Sequence, residues 1–246
     1  LDTDEHLQVI KRTIEVVAKR IPVIAGTGSN STAEAIHQTQ EAQGLGADAC
    51  LLVTPYYNRP TQEGLYQHYK AISDATTVPI VLYNVPPRTG CDMQAETVAR
   101  LANFSNIVGI KDACGDATRV SAIKSALTGA AQDDFFLLSG EDAQTLEMMT
   151  LGAAGTISVT ANVLPELMSE FCASYLKGDH ARAKILDTRL QPVHDALFVE
   201  SSPTPTKWIL SELGRMQGGI RLPLIPLSDQ HHEQVRNAVT TAGAGK

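Results

Sequence analysis

The chain has no basic run longer than a Lys-Arg pair, and 27 acidic residues against 20 basic ones leave a formal net charge of -7. That balance argues against nucleic acid or an anionic membrane surface as the main partner, because both select clustered cations. A small anionic substrate stays compatible, since a few convergent donors bind a carboxylate inside an acidic protein. Cysteine is scarce. Cys50, Cys91, Cys114 and Cys172 lie far apart without a C-x-x-C pair, which excludes a zinc framework and fits reduced thiols in a cytoplasm. No apolar stretch approaches the ~20 residues that span a bilayer, and LDTDEHLQVI at the start has neither a basic flank nor an apolar signal core. Low-complexity tracts are also missing, the 18 glycines and 12 prolines being scattered along 246 residues. A folded, soluble, cytoplasmic protein of one large domain or two small ones is expected.

Two motifs are incomplete. GTGSNS lacks the third glycine of a dinucleotide loop, so no nucleotide cofactor is expected there. HHEQVR has Arg236 where a zinc-binding helix needs a second histidine, and the seven histidines show no paired spacing. They are read as solvated surface residues, with no metal site.

What is present is an alternation of apolar, β-branched runs with longer amphipathic segments, the pattern of a parallel α/β protein. Six strands are expected: IPVIAGT from Ile21, ACLLVTP from Ala49, PIVLYNVP from Pro79, IVGIKDA from Ile107, FFLLSG from Phe135 and GTISVT from Gly155. Their starts fall 28, 30, 28, 28 and 20 residues apart, near the ~30 residues of a strand plus crossover helix. Between the first two, Thr32 is placed to cap a helix that Gly44 or Gly46 stops. Beyond GTISVT only helices are expected, over 164–177, 180–199, 205–214 and 229–242. The organisation is therefore read as a (β/α) barrel region over 1–162 and a C-terminal helical extension over 163–246. Since the chain opens on a helix, restoring a β-α-β segment before Leu1 gives the eight strands of a closed (β/α)8 barrel. The segments after the strands are small, polar or ionisable, and barrel enzymes build their sites on that face.

Lys111 stands in the apolar strand IVGIKDA. Apolar surroundings lower an amine's pKa and yield the neutral nucleophile that attacks a ketone. A plain ion pair with Asp112 or Glu141 explains the same lysine equally well. Tyr83, 28 residues earlier at the end of PIVLYNVP, falls on the neighbouring strand if successive strands pair, where a phenol moves protons. Its alternative is a half-buried strand aromatic. Arg88 in VPPRTG suits a bidentate grip on a carboxylate or, blandly, a loop surface. Tyr56 and Tyr57, between Pro55 and Pro60, expose more apolar area than a loop wants and suggest a contact with substrate or another subunit.

VTPYYNRPTQEGLYQHYKAI, LYNVPPRTGCDM, NIVGIKDACGD, LLSGEDA, GTISVTANV and FVESSPTPTKW, in this order, resemble the dihydrodipicolinate synthase family of the class I aldolase and N-acetylneuraminate lyase superfamily. The resemblance runs from Leu1 nearly to the end. It implies a (β/α)8 barrel and a lyase that condenses pyruvate with L-aspartate 4-semialdehyde to 4-hydroxy-tetrahydrodipicolinate, opening diaminopimelate and lysine biosynthesis. It further implies that Lys111 forms the imine with pyruvate without any separate cofactor, and that Tyr83 is the general acid and base. Tyr57 is implied to complete a proton relay across a tight dimer interface, and Arg88 to hold the aldehyde's carboxylate. Gly140 and Ile157 match positions giving main-chain contacts around pyruvate. A homotetramer is implied, with L-lysine as an allosteric inhibitor at His6, Asn30, Glu34 and Tyr56, although Thr3 stands where some lysine-sensitive members have histidine.

The family also carries a G-T-T-G-E segment whose threonines bind pyruvate's carboxylate. No such segment occurs in this chain before Leu1, and the full protein is expected to have one, because a barrel short of two strands exposes a wide edge. Two other readings remain at this level. One is a different pyruvate aldolase of the superfamily, such as N-acetylneuraminate lyase or a keto-deoxy sugar acid aldolase. The other is a non-catalytic ligand-binding homologue.

Overall fold

A computed structural model describes residues 1–129 and 131–243. These form two compact units, one of residues 1–140 and 151–154, the other of 141–150 and the chain from 155 onward.

The first unit alternates helices and strands: α1 (Thr3–Val17), β1 (Ile24–Gly26), α2 (Thr32–Leu45), β2 (Ala49–Val53), α3 (Gln62–Ala75), β3 (Ile80–Asn84), α4 (Pro86–Thr89), α5 (Ala95–Leu101), β4 (Ile107–Asp112), α6 (Arg119–Ala126), α7 (Ala131–Asp134) and β5 (Phe136–Ser139). Strands β1 to β5 pair in chain order and all in parallel, each joined to the next by a crossover that contains a helix. Cys50, Leu52, Ile80, Leu82 and Ile110 on the strands and Leu65, Tyr69, Ile72, Val98, Leu101 and Ile123 on the helices are all buried. Tyr69 brings its hydroxyl into this layer by donating to the Leu52 carbonyl at 3.0 Å. A buried phenol needs such a partner.

Local chemistry sets the helix ends. Asp2 closes a capping box on α1, accepting from the Glu5 N–H at 2.8 Å while the Glu5 carboxylate takes the Asp2 N–H. Ser31, rather than Thr32, caps α2, and Gly46 ends that helix in the left-handed region at φ 94°. Thr32 is the first helical residue, and its hydroxyl is shared with His68 Nδ1 at 2.9 Å.

Pairing between β3 and β4 contains one irregularity. Ile80 pairs with Ile107 but Val81 with Gly109, so Val108 is an extra residue on β4. Beyond it the register runs Leu82 with Ile110, Tyr83 with Lys111 and Asn84 with Asp112. Gly109 is needed at this point for space: a Cβ there would lie 2.5 Å from the Phe136 ring and 2.6 Å from its carbonyl oxygen.

In the second unit, α8 (Thr145–Thr150) and β6 (Gly155–Thr156) precede α9 (Pro165–Leu176), α10 (His180–Ala196), α11 (Thr204–Glu212) and α12 (His232–Ala242). The four helices expected after GTISVT are therefore present. GTISVT itself is strand only over Gly155–Thr156, because the chain turns into a short 3-10 helix at Thr160–Asn162. Asp142 explains that turn, its carboxylate accepting the N–H groups of Val159 and Thr160 at 2.9 and 2.8 Å. Phe171, Leu186, Leu190, Val193, Ile209, Val235 and Val239 form the core of this unit. Among the described residues no helix is long and apolar enough to cross a membrane.

The histidines depart from the surface reading at two positions. His68 and His194 are buried, His194 sharing Nδ1 with the Thr160 hydroxyl at 2.7 Å. Both lie on the covered faces of their helices, where a ring fills space and one nitrogen finds a threonine. Burial lowers the His68 pKa from its ordinary 6.5 to about 4. Between those values the unfolded chain binds more protons, so His68 contributes stability that is complete above pH 6.5 and is lost as pH falls toward 4. The loss is on the order of 3 kcal/mol. Urea unfolding of a His68→Gln variant, measured from pH 7 to pH 4, is expected to show a flatter pH dependence than the parent. An equal slope in both would remove His68 as its source.

Candidate active site

The centre of the site is built by β3 and β4. Strand alternation places Tyr83 and Lys111 on one face, half-buried, and Asn84 and Asp112 on the other, fully buried. The extra Val108 brings Tyr83 directly opposite Lys111, and the Lys111 Nζ lies 4.2 Å from the centre of the Tyr83 ring. That is well within the ~6 Å reach of a cation–π contact. The ladder continues at the carboxyl ends, where the Ala113 N–H donates to the Asn84 carbonyl at 2.8 Å and the Gly140 N–H to the Asp112 carbonyl at 2.7 Å.

Gly140 follows β5 directly beside the amine's stem. A Cβ at this position would sit 2.9 Å from Lys111 Cε, 2.7 Å from the Ala113 Cβ and 3.1 Å from the Asp112 carbonyl oxygen. The glycine therefore leaves the lysine side chain its channel.

Asp112, an alternative partner for Lys111 in the sequence, is turned away from it. Its Oδ1 accepts the Cys114 N–H at 3.0 Å, and its Oδ2 meets Asn84 Nδ2 at 3.2 Å and Arg119 Nη2 at 3.4 Å. Cys114, two residues on, is no ready nucleophile, since burial and then the Asp112 charge push its thiol up to about 12.

Two turns stand at the same strand ends. The first carries Tyr56 and Tyr57, the second is α4 with Arg88, closed by Gly90 at φ 69°. They are joined by the Tyr57 N–H donating to the Thr89 carbonyl at 3.2 Å, and beneath them the buried Thr54 donates its N–H to the Tyr83 carbonyl at 2.8 Å. Arg88 is exposed. Tyr57 is 89% exposed and held at φ 73°, a left-handed conformation that a bulky residue adopts only under constraint.

The loop after β1 is pinned to the tyrosine turn. Asn30 Nδ2 donates to the Tyr56 carbonyl at 3.2 Å, and Asn58 Nδ2 to the Asn30 carbonyl at 2.9 Å. Glu34, in the first turn of α2, accepts from the Ser29 hydroxyl at 2.8 Å. His6 is half-buried on α1, which packs beside α2. The structure thus brings Asn30 and Tyr56 together, while His6 and Glu34 share no hydrogen bond among the described residues. Ile157 follows β6 in the second unit.

Sequence reasoning missed Asn84, Arg119 and Phe136. A polar residue directly after each of Tyr83 and Lys111 was the available signal for the first, whereas Arg119 and Phe136 join the site's surroundings only through folding. No group of three or more potential metal-ligating side chains occurs among the described residues. A cavity of about 400 Å³ opens at the other ends of β4 and β5, between Phe104, Ile107 and Phe135, and contains none of the expected site residues.

A parallel α/β scaffold with a lysine amine and a tyrosine ring together at the carboxyl ends of adjacent strands has the layout of an α/β enzyme, whose site is built on that face. The family description Dihydrodipicolinate synthetase family matches residues 1–242. A relative from Pseudomonas aeruginosa, 4-hydroxy-tetrahydrodipicolinate synthase, is 53% identical over 243 residues, covering 99% of this chain and 82% of its own length. The crystal structure of the chloride-inhibited dihydrodipicolinate synthase from Acinetobacter baumannii, complexed with pyruvate, matches with a TM-score of 0.95 at 55% identity, over 99% of this chain and 82% of that one. The enzyme from Cyanidioschyzon merolae with lysine bound matches at 0.93 and 37% identity, with 99% and 82% covered. The chain belongs to the dihydrodipicolinate synthetase family.

Gly140→Ala is expected to displace the Lys111 stem and lower its rate of reaction with a ketone by about 10-fold or more, since a 1 Å misplacement can cost ~100-fold. Stopped-flow kinetics checks this, with circular dichroism to confirm the fold. An unchanged rate would show that the lysine tolerates the added methyl group.

Proposed function

We propose that this chain catalyses the reaction for which its curated relatives are named, condensing pyruvate with L-aspartate 4-semialdehyde to 4-hydroxy-tetrahydrodipicolinate. The observation that carries the proposal is the in-register pair, Lys111 Nζ 4.2 Å from the Tyr83 ring centre. The Lys111 amine adds to the pyruvate ketone, water leaves and an imine forms. Loss of a methyl proton gives the enamine, whose carbon attacks the aldehyde. The semialdehyde's own amine then displaces Lys111 and closes the ring. No separate cofactor enters, because the protonated imine is itself the electron sink.

Tyr83 is the group that exchanges protons with these intermediates, being the phenol beside the amine. Arg88 binds the aldehyde's carboxylate from the α4 turn, and the main chain at Gly140 borders pyruvate. Tyr57, so exposed on a constrained backbone, serves as a proton-relay residue reaching into the site of a second copy, in keeping with a homotetrameric assembly. The six strands are read as part of a (β/α)8 barrel, and the four free cysteines suit work in the cytoplasm. L-lysine is read as an inhibitor bound by His6, Asn30, Glu34 and Tyr56. The hydrogen bond from Asn30 to the Tyr56 carbonyl supports this reading by linking that region to the turn bearing Tyr57.

Incubation with pyruvate followed by borohydride is expected to add the reduced adduct to the Lys111 peptide, seen by mass spectrometry, and Lys111→Met to abolish it. A parent protein without that adduct would defeat the Schiff-base reading. Pairing pyruvate with aspartate semialdehyde or with N-acetylmannosamine in coupled assays identifies the aldehyde partner, turnover being expected with the first. Isothermal titration with L-lysine is expected to give saturable binding in the millimolar range or tighter, and a flat titration would end the inhibitor proposal.

A further inference from the structure

Behind the face that presents Tyr83 and Lys111 lies a polar cluster to which neither belongs. Asn84 is fully buried and Asp112 is 2% exposed, at positions where a parallel sheet covered by helices normally holds aliphatic side chains. Asn84 has its amide engaged on both sides: Nδ2 donates to Asp92 Oδ1 at 2.8 Å and to Asp112 Oδ2 at 3.2 Å, and Oδ1 accepts the Met93 N–H at 3.0 Å. Arg119, just inside α6, places Nη2 3.4 Å from both Asp92 Oδ1 and Asp112 Oδ2 and donates to the Met93 carbonyl. The cluster therefore ties β3, β4, the segment after α4 and the start of α6 to one another.

We propose that Asn84, Asp112 and Arg119 are positioning residues for the Lys111 chemistry, clamping the ends of β3 and β4 in the register that holds Tyr83 against the amine. This rests on the Schiff-base reading above. Three observations carry it. Two of the clamp residues, Asn84 and Asp112, directly follow Tyr83 and Lys111, one on each strand, and are themselves paired in register. The extra Val108 means that this register is not the one an uninterrupted pairing from Ile80 would give, so something beyond the aliphatic pattern has to select it. Arg119 also engages the Asp112 carboxylate, so the anion next to Lys111 in sequence is committed to a cation on the opposite face. Buried polar groups are best attested as devices that fix a register, and here the register is that of the active pair.

The test compares the parent with Asp112→Asn, Arg119→Met and Arg119→Lys, all as full chains, with rates normalised to the folded fraction. For Arg119→Met and Asp112→Asn, kcat and the rate of pyruvate adduct formation are expected to fall by about 10-fold or more. KM for pyruvate should stay within about threefold, as for an interaction felt mainly in the transition state. Arg119→Lys, which keeps the cation, is expected to recover part of the loss. Variants that melt at lower temperature yet turn over at the parent's rate would reduce the cluster to a structural role and overturn the proposal. A parent that forms no adduct at all would overturn both this proposal and the Schiff-base reading. Adduct in the parent, with full rates in the variants, would overturn this proposal alone.

Discussion

The pairing of β3 with β4 is the constraint on which the remainder of the site depends, because it determines that Tyr83 stands opposite Lys111. The side-chain period of a strand is two, so a slip of one residue would send either Tyr83 or Lys111 to the covered face and bring Asn84 or Asp112 to the open one. The pairing begins with Ile80 opposite Ile107 and would, if continued without interruption, place Tyr83 opposite Ile110. Absorbing Val108 as an extra residue restores the match. Gly109 comes next, and the Phe136 ring occupies the space its missing side chain leaves, so the bulge, the glycine and the aromatic ring form one local solution.

Energetically the two faces of this pairing differ. A lysine amine near an aromatic face gains a modest attraction. On the opposite face a buried carboxylate would be costly alone, and removing one member of a buried ion pair typically costs about 3–5 kcal/mol. Asp112 is sustained by the Arg119 guanidinium, the Asn84 amide and the Cys114 N–H together. The same division recurs in the turns above. Thr54 and Thr89 are buried and fixed by backbone hydrogen bonds, whereas Arg88 and Tyr57 project from them into the open. The turns thus combine a fixed base with exposed tips.

Much of the architecture was legible beforehand. All six apolar runs became strands within three residues of the expected start, and the last, GTISVT, is strand over only two residues because Asp142 draws the following N–H groups into a turn. The helices after β6 fell where their apolar spacing indicated. Lys111 and Tyr83 were recognisable as a pair from spacing and motif. The interior location of His68 and His194 was not, since both look like ordinary polar residues until α2 and α3, or the 3-10 turn and α10, close over them. The cap of α2 was misread by one residue because Ser31 and Thr32 are chemically equivalent candidates, and only the position of His68 gives the threonine other work.

The sequence by itself determined the order of strands and helices and which of them carry Lys111, Tyr83 and Arg88. These are local properties, written in periodicity and residue type. Tertiary structure alone decided that Val108 is absorbed as a bulge, that Asp112 turns to Arg119, and that Gly140 clears the path of the Lys111 stem. Each of those depends on which residues distant in the chain come to lie side by side. A pattern read along one strand carries no information about where its neighbour begins.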